Sequence, residues 1–187
     1  METQKDSNSL GIKTSYAGIP KAEFVEDVDA YMARPENNSH VDEVLKKLDG
    51  QHAKYKFMEY NLIAKKTRLQ SQVPELKRSL TVIEKLEKQT EEFDTQFLLS
   101  EQVFARAKVP PTQNVCLWLG ANVMLEYTLE DAKKLLTQNI AAAETNLEFV
   151  NQDLDFLRDQ FTTTEVNMAR VFNWDVKRRQ AAKAASK

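Results

Sequence analysis

Few side chains in this sequence could carry bond-making chemistry, and for each a structural role competes. His40 and His52 are its two histidines; an imidazole can serve as general base or metal ligand. His40, however, sits near a helix start and His52 falls in an apolar stripe, and no nucleophile with a matching base accompanies either. Cys116 is the single cysteine. It lies within Val115, Cys116, Leu117, Trp118, Leu119, where a thiol is a small packing residue and not a reactive group. Asp153, Asp155 and Asp159 have the carboxylate density of a calcium loop but lack its glycine and terminal glutamate, and they fall in a helical pattern. They read as a solvated face. A glycine-rich phosphate loop is missing too. The expectation is a protein that is not an enzyme and takes no cofactor and no metal. Lys177, Arg178, Arg179, Lys183 and Lys187 form a basic end, read as a solvated tail that complements a helix C-terminus; nuclear import or nucleic-acid contact is the sharper alternative.

With catalysis set aside, the elements become the question. The 187 residues include only four glycines and five prolines, too few turn formers for many short elements, so long ones are expected. A charged fraction of 29% with a net charge of -2 gives no overall field to draw the chain to nucleic acid or anionic lipid. No segment approaches the roughly 18 apolar residues that cross a bilayer, and no secretory signal gives meaning to the Asn37-Asn38-Ser39 sequon. The expected setting is the cytoplasm, with the nucleus as a second site.

Residues 1–38 lack period apart from an apolar island at Phe24, Val25, Val28, Tyr31 and Met32, and read as a flexible arm, with a short docking helix as the alternative. From Ser39, a plausible cap with Asp42 following, one stripe runs Val41, Leu45, Leu48, His52, Tyr55, Glu59, Leu62, Lys66, Leu69, Val73, Leu76, Leu80, Ile83. A second runs Leu136, Ile140, Ala143, Leu147, Val150, Leu154, Leu157, Phe161, Thr164, Met168, Val171. Steps of four and three kept this long mark a coiled-coil seam, not a helix lying on a broad core. Gly50 should be passed without a break, and Pro74 should kink the first helix. Thr128 with Asp131 marks the start of the second.

Between the helices the period changes to two. Val103, Ala105, Ala107 and Val109 alternate with Phe104, Arg106 and Lys108; residues 114–119 and 123–127 are rich in apolar and β-branched types, and Phe97-Leu98-Leu99 is a further short strand candidate. Pro110-Pro111 and Gly120-Ala121-Asn122 supply turns. The reading is a mainly α fold: a long antiparallel coiled-coil hairpin with two small β-hairpins at its base. The spans are helix 39–95, β-hairpins 96–128, helix 129–178 and a disordered tail 181–187. So small a pair of hairpins cannot bury both its faces, which calls for cover from other chains.

That layout, together with VPPTQNVCLWLGANVMLEYTLEDA (109–132), DLDFLRDQFTTTEVNMARVFNWDVKRR (153–179) and GIPKAEFVEDVDAYM (18–32), resembles the α-class prefoldin subunits. The resemblance implies a domain over 39–180 and a heterohexamer with one further α-class and four β-class subunits. It also implies ATP-independent capture of unfolded actin and tubulin, delivery to the cytosolic chaperonin, and the von Hippel-Lindau protein as an additional partner. No membrane or nucleic-acid partner is implied. Subunit assembly falls to Val103, Ala105, Val109, Val115, Leu117, Trp118, Leu119, Val123 and Leu125. Client contact falls to the coil ends at Val41, Val44, Leu48, Val171, Phe172 and Trp174, where the aromatic pair is either a contact surface or a local staple. The alternative function is a coiled-coil scaffold or adaptor without client-holding activity; a nucleic-acid-associated coil is weaker still.

Overall fold

The computed structural model describes residues 15–37 and 40–185; the expected cap Ser39 and the basic Lys187 lie outside them. Its elements are α1 (Val28–Met32), α2 (Val41–Glu87), β1 (Phe93–Ser100), β2 (Val103–Val109), β3 (Asn114–Gly120), β4 (Val123–Thr128) and α3 (Leu129–Ala185). The class is the expected one: two long helices and two antiparallel β-hairpins, β1 with β2 and β3 with β4.

Helix α2 opens with Asp42 and Glu43 in its first turn, where carboxylates meet the positive end of the helix dipole. It runs unbroken past Gly50 and Pro74. The missing proline N–H costs one backbone bond, and the seam holds the helix on either side, with Leu69 buried and Leu76 packed against the core. Helix α3 begins as its sequence announces. The Asp131 N–H donates to Thr128 Oγ1 (3.1 Å), and that hydroxyl donates to the Asp131 carboxylate (2.8 Å). The expected end at 178, and the disordered tail over 181–185, are corrected, since α3 continues to Ala185; the last two residues of that tail lie outside the described residues. The continuation Gln180-Ala-Ala-Lys-Ala-Ala is made of strong helix formers.

The chain divides into two compact units, residues 68–147 and, outside them, residues up to 67 with those from 148 on. In the first, Ile83, Ala132 and Leu136 form the core, with Leu76, Leu80, Val115, Leu117, Tyr127 and Leu129 packed around it. Here α2 and α3 run antiparallel, pinned by Lys77 to Glu144 (2.6 Å) and Lys133 to Glu87 (2.8 Å). The hydrogen bond that Lys133 donates to Glu87, and then that carboxylate's charge, hold the Lys133 pKa above its ordinary value. Both pairs are solvent-exposed and fix register more than they stabilise.

The helix expected to reach 95 ends at Glu87 instead, and the first strand starts at Phe93. Pairing explains the shift. Phe93, Asp94, Thr95 and Gln96 have partners in Val109, Lys108, Ala107 and Arg106. Gln89 Nε2 donates to the Val109 carbonyl (2.7 Å), the Lys85 ammonium sits 4.8 Å from the Phe93 ring centre, and Lys108 pairs with Glu92 (3.0 Å). The β3–β4 turn puts Ala121 (φ 48°) and Asn122 (φ 60°) in the left-handed region, which a two-residue hairpin turn of matching twist requires. The β1–β2 turn places Gln102 at φ 67°.

In the other unit Met32, Val41, Val44, Leu48 and Val171 form the core, flanked by Val28, Tyr31, Leu45, Met168 and Trp174. The helices are again antiparallel: His52 meets Glu165 (3.2 Å), and four residues on, the Lys56 ammonium lies 5.4 Å from the centre of the Phe161 ring, four residues back. Thr164, the polar member of the second stripe, is fully buried and turns its hydroxyl to the Gln160 carbonyl (2.9 Å). The flexible-arm reading is corrected over 15–37: Ile19, Ala22, Val25 and Met32 are buried, and α1 is capped by Asp27, whose carboxylate accepts the Ala30 N–H (3.1 Å). The docking-helix alternative describes this segment better.

Candidate functional site

Two surfaces stand out, one in each unit. The first is the turn end of both β-hairpins. Cross-strand partners share a face of a sheet, so the register sorts the side chains. On β3–β4, the pairs Val115 with Tyr127 and Leu117 with Leu125 share one face, and Trp118 with Met124 the other. Val115, Leu117 and Tyr127 pack on the helices, and the opposite face is left to solvent. Trp118 is 64% exposed there with its partner Met124, and towards the turn Leu119, Val123 and Leu125 are exposed as well, although Leu125 lies on the Leu117 face. On β1–β2 the helix-proximal outer pairs are Asp94 with Lys108 and Gln96 with Arg106, both polar, and the next pair outward is Leu98 with Phe104. Phe97, Leu98, Leu99, Val103 and Phe104 are all more than half exposed. Isolated exposed apolar residues need no explanation, but a contiguous group on strand ends marks an interaction surface.

Of the residues expected to mediate assembly, Val103, Trp118, Leu119, Val123 and Leu125 are exposed, while Ala105, Val109, Val115 and Leu117 are half-buried. Val115 and Leu117 serve the chain's own core. Phe97, Leu98, Leu99, Phe104 and Met124 were missed as surface residues. Their signal was the apolar run on both sides of the residue 101–102 turn, which has no glycine or proline to announce it. Cys116 is exposed, not the packing residue expected, because the face it shares with Trp118 has no cover among the described residues.

The second surface is the coil end. Val41, Val44, Leu48 and Val171, expected as client contacts, are instead consumed by the core, because Met32 of α1 plugs the space between the helices. Phe172 and Trp174 part company. Phe172 is 58% exposed on a shallow groove with Leu45, Lys46, Asp49, Met168 and Ala169. Trp174 is half-buried and donates Nε1–H to the Asp29 carboxylate (2.6 Å), which makes it the staple of α1. The basic end is partly tied down as well: Arg178 (2.9 Å) and Arg179 both pair with the buried Asp175.

Asp153 also departs from the solvated-face reading. It is buried and accepts from Ser15 Oγ (2.8 Å), Tyr16 N–H (2.7 Å) and Ala17 N–H (3.1 Å). Asp155 and Asp159 remain exposed. Among the described residues no group of three or more His, Cys, Asp or Glu side chains is disposed to hold a metal ion. No described helix is long and apolar enough to cross a membrane.

The prefoldin-subunit family profile matches residues 55–174, which covers both hairpins and most of both long helices. The chain belongs to the prefoldin family. Prefoldin subunit 3 of Drosophila melanogaster is 58% identical over 168 residues, covering 90% of this chain and 86% of that one. Prefoldin subunit 3 of Homo sapiens is 57% identical (88% and 84% covered), and probable prefoldin subunit 3 of Caenorhabditis elegans 39% (92% and 94%). Among solved structures, a chain of filamentous prefoldin from Methanocaldococcus jannaschii superposes with a TM-score of 0.52 at 20% identity, over 62% of this chain and 95% of that one. That likeness speaks to the fold. For a prefoldin chain the exposed hairpin ends acquire a meaning, because prefoldin chains are chaperone components.

Proposed function

We propose that this chain is an α-class subunit of a heterohexameric prefoldin, completed by one further α-class and four β-class subunits, which captures unfolded actin and tubulin without ATP and delivers them to the cytosolic chaperonin. The carrying observation is the apolar turn end of both hairpins. Trp118, Leu98 and Phe104 are presented to solvent on short strands whose edges are open, a surface that would aggregate unless other chains cover it. Hairpins of other subunits are the cover, closing the strands into a common barrel. A plain coiled-coil scaffold has no use for that surface. The complex works in the cytoplasm and also in the nucleus, with the von Hippel-Lindau protein as a further partner.

Holding requires apolar groups that the coil does not spend on itself. Phe172, exposed on the groove that the part-buried Leu45 and Met168 line, provides one such place. Two measurements test the reading. Chain purified from native extract should bring five other small coiled-coil subunits, and that complex, without nucleotide, should suppress aggregation of denatured actin. A chain that purifies alone, or a complex that leaves aggregation unchanged, rules it out. Within that assay, Phe172→Ser should leave thermal stability nearly unchanged, as exposed substitutions cost within about 0.5 kcal/mol. Capture should weaken about two-fold, the loss being diluted by the other coils that hold the same client. Equal capture by wild type and mutant would move the client surface elsewhere.

A further inference from the structure

The segment at 15–29 is held in an unusual way: both helices grip its backbone. Asp153 takes the N–H groups of Tyr16 and Ala17, Gln160 Oε1 takes that of Ala22 (2.9 Å), and Asn167 takes that of Val25 (2.9 Å). Carbonyls are met too. Asn167 Nδ2 donates to Glu23 (2.7 Å), Arg170 to Glu26 (2.7 Å), and the Tyr55 hydroxyl of α2 to Pro20 (2.8 Å). The grip on α3 is periodic, with Asp153, Gln160, Asn167 and Trp174 spaced by seven residues. A heptad rises about 10.5 Å, and three residues of extended chain cover about 9 Å. Ala22 and Val25, three apart, therefore meet Gln160 and Asn167, seven apart, in matching register. The apolar side chains follow the same period, since Ile19, Ala22 and Val25 are buried at every third position.

A site that reads backbone amides and small apolar side chains at a fixed rise asks little of the sequence it holds. Extended, non-native polypeptide meets those requirements as well as residues 15–29 do. Under the segment Asp153, Gln160 and Asn167 are each at least 95% buried, so whatever covers them must also supply their hydrogen-bond partners. We propose that residues 15–29 form a releasable strap, an internal stand-in for client that extended non-native polypeptide displaces from α3. The proposal rests on the client-holding reading above. The strap is anchored at its far end by α1, where Arg34 donates two hydrogen bonds to Glu23 (2.8 and 3.3 Å). Those bonds, then the cation's charge, hold the Glu23 carboxyl below its ordinary value. This clasp is present above the usual glutamate range and lost as pH falls through the lowered value.

The test uses the assembled complex with denatured actin as the probe. Amide exchange at Ala22 and Val25 should be slow in the free complex and rise at least ten-fold at saturating actin. In addition, Ala22→Pro with Val25→Pro deletes both donated amides and keeps an extended backbone; it should tighten actin binding several-fold by removing the competitor. A complex that holds actin while Ala22 and Val25 stay protected overturns the strap alone. Unchanged or weaker binding by the proline variant, with actin still held by the wild type, does the same. A complex that holds no actin in either form overturns the strap and the client-holding reading together.

Discussion

Replacing Leu98 and Trp118 together with aspartate is expected to remove this chain from the complex while leaving its own fold intact. Both side chains are exposed in the single chain, at 58% and 64%, so the substitutions cost the isolated chain little. Assembly is another matter. Once neighbouring strands cover the hairpin ends, each carboxylate must be buried without a partner, at a cost of several kcal/mol, and two such sites exceed what a modest interface can absorb. Co-expression with the other subunits followed by native mass spectrometry should find the mutant absent from the hexamer, and circular dichroism should show its helix content unchanged. Assembly at wild-type yield would show that the hairpin ends face solvent in the complex as well. The choice of residues matters. Leu117→Asp would not separate the two effects, because Leu117 packs against the core of its own chain.

The parts of this molecule that repeat were legible in its sequence. Both stripes are buried as their spacing implies: Tyr55, Leu62, Leu69 and Ile83 on α2, and Ile140, Val150, Leu157 and Val171 on α3, lie in the seam. A rule of sevens survives local defects such as Gly50 and Pro74 because neighbouring turns carry the phase. The Thr128 cap was equally readable, since hydroxyl and carboxylate three apart have a local partner. What escaped is what has no period of its own. Up to Asp27 the strap is neither helix nor strand, and its signal was split between two distant segments: apolar residues at every third position from Ile19 to Val28, and polar ones at every seventh from Asp153 to Trp174. Either alone looks like an irregular arm or a wet helix face. The start of β1 escaped for a related reason. Thr90, Glu91 and Glu92 carry no breaker stronger than a run of charge, and only the pairing with β2 decides where the helix stops.

Met32→Asp should produce the largest change in the coil-end unit, and its sign on client capture is opposite to that of Phe172→Ser. Met32 is 1% exposed and packs among Val41, Val44, Leu48 and Val171, none of which can pair with a charge. Losing the methionine side chain alone costs about 2 to 5 kcal/mol, and an unpaired carboxylate in its place adds the penalty for desolvating a charge. Helix α1 has only five residues, far below the length at which a helix stands by itself, so it should leave the coil with the carboxylate on it. Amide exchange in residues 28–32 should then rise to the rate of an open chain, and exchange near 41–48 and 168–174 should rise by a smaller factor. Residues 76–87 and 129–140, which pack in the other core, should keep their protection. Departure of α1 uncovers Val41, Val44, Leu48 and Val171, the apolar residues that the coil end otherwise hides, and removes the anchor of the strap. The complex carrying Met32→Asp should therefore hold denatured actin more tightly than wild type, even though its subunit is less stable. Tighter holding with lost protection supports α1 as a cover over client-binding surface; weaker holding with the same loss would show that α1 itself is part of the surface that touches client.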